Sequence, residues 1–227
     1  MPKPGEISFA TGGVLFLDEF AEFKRSTIES LRQPMESRSI ILSRLNMNYQ
    51  YPASFMLVGA TNLCPCGFFP NLNKCRCSEK QIKNYIGKIS KALLDRIDIC
   101  AEAMEIQYEE LSSEPEESSD VIRERVKRAR EMQVNRYKNK EIQFNSQLTP
   151  KLLKDSLVLG AEETEFLEEI YEKMNMTARS YHRLLKISQT IADLEGIETV
   201  KMKHLKEALF YRGMDTLLCG GGDDDKE

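Results

Sequence analysis

Short unbroken apolar runs punctuate the first hundred residues. Val14-Leu15-Phe16-Leu17 follows Gly12-Gly13, and Phe55-Met56-Leu57-Val58-Gly59-Ala60 repeats the pattern. Runs of this length without polar alternation predict strands buried on both faces. Ile97-Asp98-Ile99-Cys100-Ala101 predicts a third, shorter strand. Between the runs, Ser26-Thr27-Ile28-Glu29 fits a capping box, and Ile28, Leu31, Arg32 and Met35 continue at helical spacing. Residues 39–43 and 45–51 predict a hairpin whose turn lacks glycine.

Beyond residue 120 the pattern becomes helical throughout. Residues 121–137 form a charged helix with Val121, Ile122, Val126 and Ala129 as its apolar side. Thr149-Pro150 places a capping hydroxyl before a proline at the first helical position. Phe166, Leu167, Ile170, Tyr171 and Met174 make one stripe. Tyr181, Leu184, Leu185, Ser188, Ile191 and Ala192 make a second, and Leu205, Ala208 and Leu209 mark a last helix. Together they predict the core of a small helical bundle. The expected organisation is an α/β region over 1–105, an acidic linker over 106–119, a helical region over 120–213 and a disordered tail over 214–227. From Glu102 to Asp120 there are eight acids and no Lys or Arg, which sets the linker apart from both neighbours.

Composition narrows the function classes. The chain has 227 residues, 30% charged and 41% hydrophobic, which suits one soluble domain or two small ones. A net charge of -4 does not mark a nucleic-acid binder. The basic run Arg123, Arg125, Lys127, Arg128 and Arg130 is interrupted by Glu124 and flanked by Glu131, so it reads as a solvated helix face. No apolar run approaches the roughly 20 residues of a membrane span, and the start carries no signal pattern. A cytoplasmic protein with no membrane partner is expected. His182 and His204 lie on predicted helices and read as packing or surface residues.

Three clusters carry candidate chemistry. Asp18-Glu19 ends the first strand, where open α/β sheets bind ligands. One carboxylate there can hold Mg²⁺ and the next can polarise an attacking water; a solvated strand end is the alternative. Ala60-Thr61-Asn62 ends the second strand, and the Asn62 amide can hydrogen-bond a γ-phosphate or a water. Cys64-Pro65-Cys66 and Cys75-Arg76-Cys77 hold four of the six cysteines. Four thiolates so placed can close a tetrahedral Zn²⁺ site, though the pairs are closer than the usual Cys-x₂-Cys. Free or disulfide-paired thiols in a surface loop are the alternative.

Gly13-Val14-Leu15-Phe16-Leu17-Asp18-Glu19-Phe20 resembles the Walker B segment of AAA+ ATPases. Leu31-Arg32-Gln33-Pro34-Met35-Glu36, Tyr51-Pro52-Ala53-Ser54-Phe55, Ala60-Thr61-Asn62 with Cys64-Pro65-Cys66-Gly67, Leu93-Leu94-Asp95-Arg96-Ile97-Asp98 and Ala178-Arg179-Ser180-Tyr181-His182-Arg183 follow in order. They are similar to the magnesium-chelatase-related, ComM-like branch of that family. The resemblance spans about Pro4 to Arg212. It implies a partial AAA+ P-loop-type nucleotide-binding sheet followed by an all-α lid. Asp18 would face Mg²⁺, Glu19 would be the water-polarising base, Asn62 the γ-phosphate sensor and Arg179 the second sensor. Arg96 would be an arginine finger offered to a neighbouring subunit's ATP; on sequence alone, an ion pair with Asp95 or Asp98 is the simpler reading. The hairpin over 39–51 would point toward a central pore.

The resemblance further implies ATP and Mg²⁺ as cofactors, self-assembly into a ring (a hexamer at full length) and an action on DNA or a chelatase-like partner. One departure limits this. No Gly-x-x-x-x-Gly-Lys-[Ser/Thr] phosphate loop occurs; Gly87-Lys88 is the nearest approach, with Ile82 at the earlier glycine position. Only 17 residues precede Asp18, so the expectation is an incomplete ATP hydrolase whose N-terminal strands are missing, inactive alone and exposing apolar surface. Two other readings are a non-catalytic zinc-containing interaction module and a nucleic-acid-binding fragment.

Overall fold

Gly12 adopts a left-handed conformation (φ +79°) and turns the chain into β1 (Val14–Leu17). The computed structural model describes residues 2–44, 47–103, 108 and 117–218. Contacts divide the chain into two compact units, one built from the first 97 residues and one from Asp98 to Met214.

In the first unit, a short α1 (Glu6–Phe9) precedes β1, and a 3₁₀ turn (Phe20–Glu22) follows it. Next come α2 (Arg25–Ser30), α3 (Arg32–Ser37), β2 (Ser39–Arg44), β3 (Met47–Pro52), β4 (Met56–Gly59), α4 (Glu79–Ile86) and α5 (Lys91–Leu94). β1 pairs with β4 in parallel, from Val14 opposite Met56 to Leu17 opposite Gly59. β2 and β3 form the expected hairpin, from Ser39 opposite Pro52 to Arg44 opposite Met47; residues 45 and 46, at its turn, lie outside the described residues. The core gathers Phe20, Ile28, Leu31, Tyr85, Ile89 and Leu93, with Leu15, Leu17 and Leu57 packed against it.

The helix expected from residue 26 is two helices. Pro34 lacks an N–H and its ring clashes with the carbonyl four residues back, that of Ser30, which is where α2 stops. The expected capping box is also absent: α2 starts at Arg25 after Lys24 with no side-chain cap, and Glu29 pairs with Arg32 at 2.9 Å. α4 instead carries the full box, Ser78 with Gln81. Gly87 caps the C-terminal end of α4.

The strands are not buried on both faces. Leu15, Leu17 and Leu57 pack inward, whereas Val14, Phe16, Met56 and Val58 are between 39% and 63% exposed. The register sets Val14 beside Met56 and Phe16 beside Val58, so the four form one apolar patch. Parallel sheets are ordinarily covered on both sides, and exposed patches of this kind favour association. The isolated chain is therefore expected to self-associate at micromolar concentration. Phe16→Lys combined with Met56→Lys should shift sedimentation velocity toward the monomer, and an unchanged distribution would show that this patch is not the cause.

No third strand forms at 97–101. The Cys100 N–H donates to the Tyr211 carbonyl (3.2 Å), and Asp98 pairs with Arg183 (2.7 Å). The run spends its backbone and charge on helices of the second unit rather than on a strand ladder.

That second unit is α6 (Ser119–Arg136), α7 (Pro150–Ser156), α8 (Ala161–Lys173), α9 (Ala178–Leu194) and α10 (Met202–Leu218). Ser118, Thr149 and Thr177 cap α6, α7 and α9 with side-chain oxygens, and Pro150 stands at the first helical position of α7. Leu148, Leu153, Leu167, Ile170, Leu184, Leu185, Ile191, Leu205 and Ala208 fill the core. Within the expected stripes, Tyr171 and Met174 are exposed. The apolar side expected of α6 is corrected more strongly: Val121, Ile122 and Val126 are exposed, and Ala129 and Gln133 are its buried residues. α6 packs on α9 through its C-terminal half, where polar groups rather than valines find partners. The acidic segment lies outside the described residues apart from Tyr108 and residues 117–119. α10 continues past residue 214 to Leu218, and the chain beyond is also outside them.

Candidate functional site

The parallel register between β1 and β4 sets the site. Backbone hydrogen bonds continue past the strands: Ala60 N–H to Leu17 (3.0 Å) and Phe20 N–H to Ala60 (2.8 Å). Asp18-Glu19 and Thr61-Asn62 therefore leave the same end of two adjacent strands, the rim where open parallel sheets bind ligands. Asp18, Glu19 and Asn62 are all exposed there. Glu19 is left-handed (φ 49°), a conformation that costs a non-glycine residue about 1–2 kcal/mol. Its N–H donates to Asp18 Oδ1 at 2.8 Å, which helps hold the pair.

Thr61 and Tyr85 brace this rim from beneath. Thr61 Oγ1 accepts the Ala21 N–H (3.3 Å) and donates to the Asn62 carbonyl (3.1 Å). Burial first, then the Glu22 carboxylate, pushes the Tyr85 hydroxyl's pKa up to about 12. Tyr85 is thus a neutral phenol beside the turn after β1. The spacing of Ile82, Tyr85 and Ile86 marks the helix face, but nothing local signals that the hydroxyl is used.

Arg96 follows α5 and is only 12% exposed. Its guanidinium meets Glu36 Oε1 at 2.5 Å and the Ala92 carbonyl, while Nε is buried with no hydrogen-bond partner among the described residues. The pairing with Asp95 or Asp98 considered from sequence is replaced by Glu36, sixty residues away. Arg179 is exposed in the first turn of α9, immediately after the Thr177 cap and Ala178. It belongs to the second unit, whereas the rim and Arg96 belong to the first.

The loop after Asn62 brings the four cysteines together. The Sγ atoms of Cys64, Cys66, Cys75 and Cys77 all lie within 4.8 Å of one another, and none is in a disulfide. Cys64 is buried and Cys66 exposed. The backbone N–H groups of Phe68 and Arg76 hold the Cys66 thiol down at about 6.

Comparison with known proteins places this architecture. Residues 1–111 match the family profile for magnesium chelatase subunit ChlI, and residues 116–212 match that for the C-terminal part of the same subunit. The chain is 42% identical over 220 residues to the competence protein ComM of Haemophilus influenzae. It is 40% identical to the uncharacterized protein YifB of Escherichia coli, and 38% to YifB of Salmonella typhimurium. The chain belongs to the magnesium chelatase-related, ComM/YifB-like family. Each of these alignments covers 96% of this chain but 42% of the relative, so the chain spans about two fifths of the length of the curated relatives it matches. Among the described residues, no helix is long and apolar enough to cross a membrane.

In this ComM/YifB-like chain the second unit also holds a polar cluster that sequence reasoning missed. Asp193 is fully buried and receives both Nη groups of Arg136, one at 3.0 Å. Asn145 Nδ2 (2.8 Å) and Gln189 Nε2 (3.2 Å) also donate to it. Tyr137 donates to Asn145 Oδ1 (2.7 Å), and Gln133 accepts the Asn145 N–H (3.1 Å). His204 is likewise buried: Nδ1 accepts the Lys201 N–H (3.0 Å) and Nε2 faces Glu195 (3.2 Å), so it caps the start of α10. Both clusters are structural, and an aspartate on an otherwise apolar helix face was the one available signal.

Proposed function

We propose that this chain supplies the catalytic rim and the trans-acting arginine of an ATP-hydrolysing AAA+ ring motor. The observation that supports this most is the parallel register of β1 and β4, which brings Asp18, Glu19 and Asn62 out at one rim. The donor set suits the cofactor: two exposed carboxylates offer hard oxygen ligands of the kind Mg²⁺ takes, and an amide offers a donor to a phosphate oxygen. Mg²⁺, when bound, neutralises charge on the phosphates. Asp18 would hold the metal side. Glu19 would orient the attacking water and accept its proton, and Asn62 would hydrogen-bond the γ-phosphate. Arg96 would reach a neighbouring subunit's nucleotide, exchanging its Glu36 contact for the phosphoryl oxygens, and Arg179 would act as a second sensor on the helical unit.

The phosphate loop is not among these 227 residues, so hydrolysis requires it to be supplied. DNA is the favoured object of the motor, because the H. influenzae relative is named a competence protein. Self-assembly into a ring follows from placing Arg96 in trans.

The test joins the chain to the N-terminal part of E. coli YifB and mixes two inactive variants. Subunits with Arg96→Ala and subunits with Glu19→Gln are expected to regain part of the ATPase activity when combined. In a mixed ring some interfaces pair an intact Glu19 with an intact Arg96. No recovery in mixtures that form full rings by sedimentation would remove Arg96 from the trans role.

A further inference from the structure

We propose that Cys64, Cys66, Cys75 and Cys77 form a mononuclear, structural Zn²⁺ site that fixes the loop following Asn62. The sulfur geometry carries this. Zn–S bonds of about 2.3 Å in a tetrahedron put the sulfurs about 3.8 Å apart. The Cys64–Cys75 and Cys66–Cys75 separations are 3.8 and 3.6 Å, and Cys64–Cys66 is 3.3 Å. All four ligand atoms lie within 4.8 Å of one another, within reach of a single ion. An iron–sulfur cluster bound by four cysteines places each thiolate on the cluster's periphery, wider apart, so a single ion fits better. Thiolates favour Zn²⁺ over Mg²⁺ or Ca²⁺.

The surroundings fit a thiolate centre. Metal binding releases the thiol protons to solvent and leaves four sulfur ligands around a dication, a net charge of about −2. The Phe69 backbone N–H donates to Cys64 Sγ at 3.3 Å. Such outer hydrogen bonds offset ligand charge and set ligand orientation. Lys74 and Arg76 add positive charge beside the ligands.

The loop also needs a fastening. Residues 60–78 contain no helix or strand; of their large apolar side chains, Phe68 and Leu72 are 49% and 77% exposed and Leu63 and Phe69 are only half-buried. No apolar core of its own holds this segment, and a metal supplies cross-links where a core does not.

Position gives the site its consequence. Cys64 lies two residues after Asn62, and the loop folds back so that a Cβ on Gly67 would stand 3.8 Å from Asn62 Nδ2. The metal would therefore act as a positioning group for the Asn62 amide. That consequence rests on the proposed ATP site, whereas zinc binding does not.

The 227-residue chain, purified under reducing conditions with zinc in the growth medium, is expected to carry close to one Zn per chain by elemental analysis. Replacing Zn²⁺ with Co²⁺ should give sulfur-to-cobalt charge-transfer bands and tetrahedral d–d bands. Cys66→Ser and Cys75→Ser should lose the metal while Cys100→Ser keeps it. The wild-type spectrum does not depend on any variant folding. Zinc below about a tenth of an equivalent with no cobalt spectrum, iron in its place, or a mass deficit showing two disulfides would each overturn the site. Stripping the metal should speed amide exchange over residues 61–67 by about tenfold without nucleotide present. Unchanged exchange would overturn the positioning consequence alone. Failure of the ATP-site reading shows up separately, as turnover that does not respond to Glu19→Gln.

Discussion

Asp193→Ala should remove about 3–5 kcal/mol from the stability of the helical unit, a large share of what a domain of this size has in total. The carboxylate is completely buried, and four donor groups from Arg136, Asn145 and Gln189 converge on it. Deleting it leaves the Arg136 guanidinium, 17% exposed, without its counter-charge. It also takes one acceptor from each of the Asn145 and Gln189 amides, which keep Thr190 Oγ1 (3.0 Å) and the Glu198 carbonyl (3.1 Å), so the uncompensated guanidinium carries most of the loss. Water reaching the exposed edge of Arg136 relieves part of this, which keeps the expectation within the stated range. Asp193→Asn keeps the shape and two acceptor sites' worth of lone pairs, so its loss should be smaller. Urea unfolding followed by circular dichroism measures both. A loss below about 1 kcal/mol for the alanine variant would reduce the cluster to an ordinary surface pair.

Glu19→Gln should lower ATP turnover of the phosphate-loop-completed protein by about 10²–10⁴-fold, the range for removing a general base. Nucleotide binding should survive, because Glu19 in this reading acts on the water rather than on the phosphates or Mg²⁺. The amide keeps the size of the side chain and its place on the left-handed turn, so the comparison isolates the charge. Steady-state phosphate release and nucleotide titration separate the two effects. Unchanged turnover would take Glu19 out of the mechanism, and lost binding would move it to the metal side beside Asp18.

Much of this protein was legible before any coordinates. Val14–Leu17 and Met56–Gly59 are strands because short apolar runs leave few other options, and the hairpin formed over the residues expected for it. Thr149-Pro150 starts α7 as expected, since both residues act through their immediate neighbours. Family membership was legible for a related reason: the motifs recur in order along nearly the whole chain, and the profile matches bear this out. Other features misled. The capping box at Ser26 was a valid local pattern, but Pro34 forced a break and the helix took Lys24, two residues earlier, as its N-cap. The valines of α6 were a valid stripe, but it was the opposite, polar end of the helix that found partners.

On its own, the sequence determined two of the strands, the hairpin and most of the helices, which family the chain belongs to, and which residue types are available for chemistry. These depend on interactions among residues a few positions apart, or on motif order. Tertiary structure alone decided that β1 lies beside β4, that only one face of that pair is covered, and that Glu36 takes Arg96. It also decided that four thiols converge and that Asp193 draws Arg136 from 57 residues away. Each of those outcomes depends on which distant group arrives first-hand to satisfy a charge, a donor or an apolar face. Local periodicity carries no information about partners that distant.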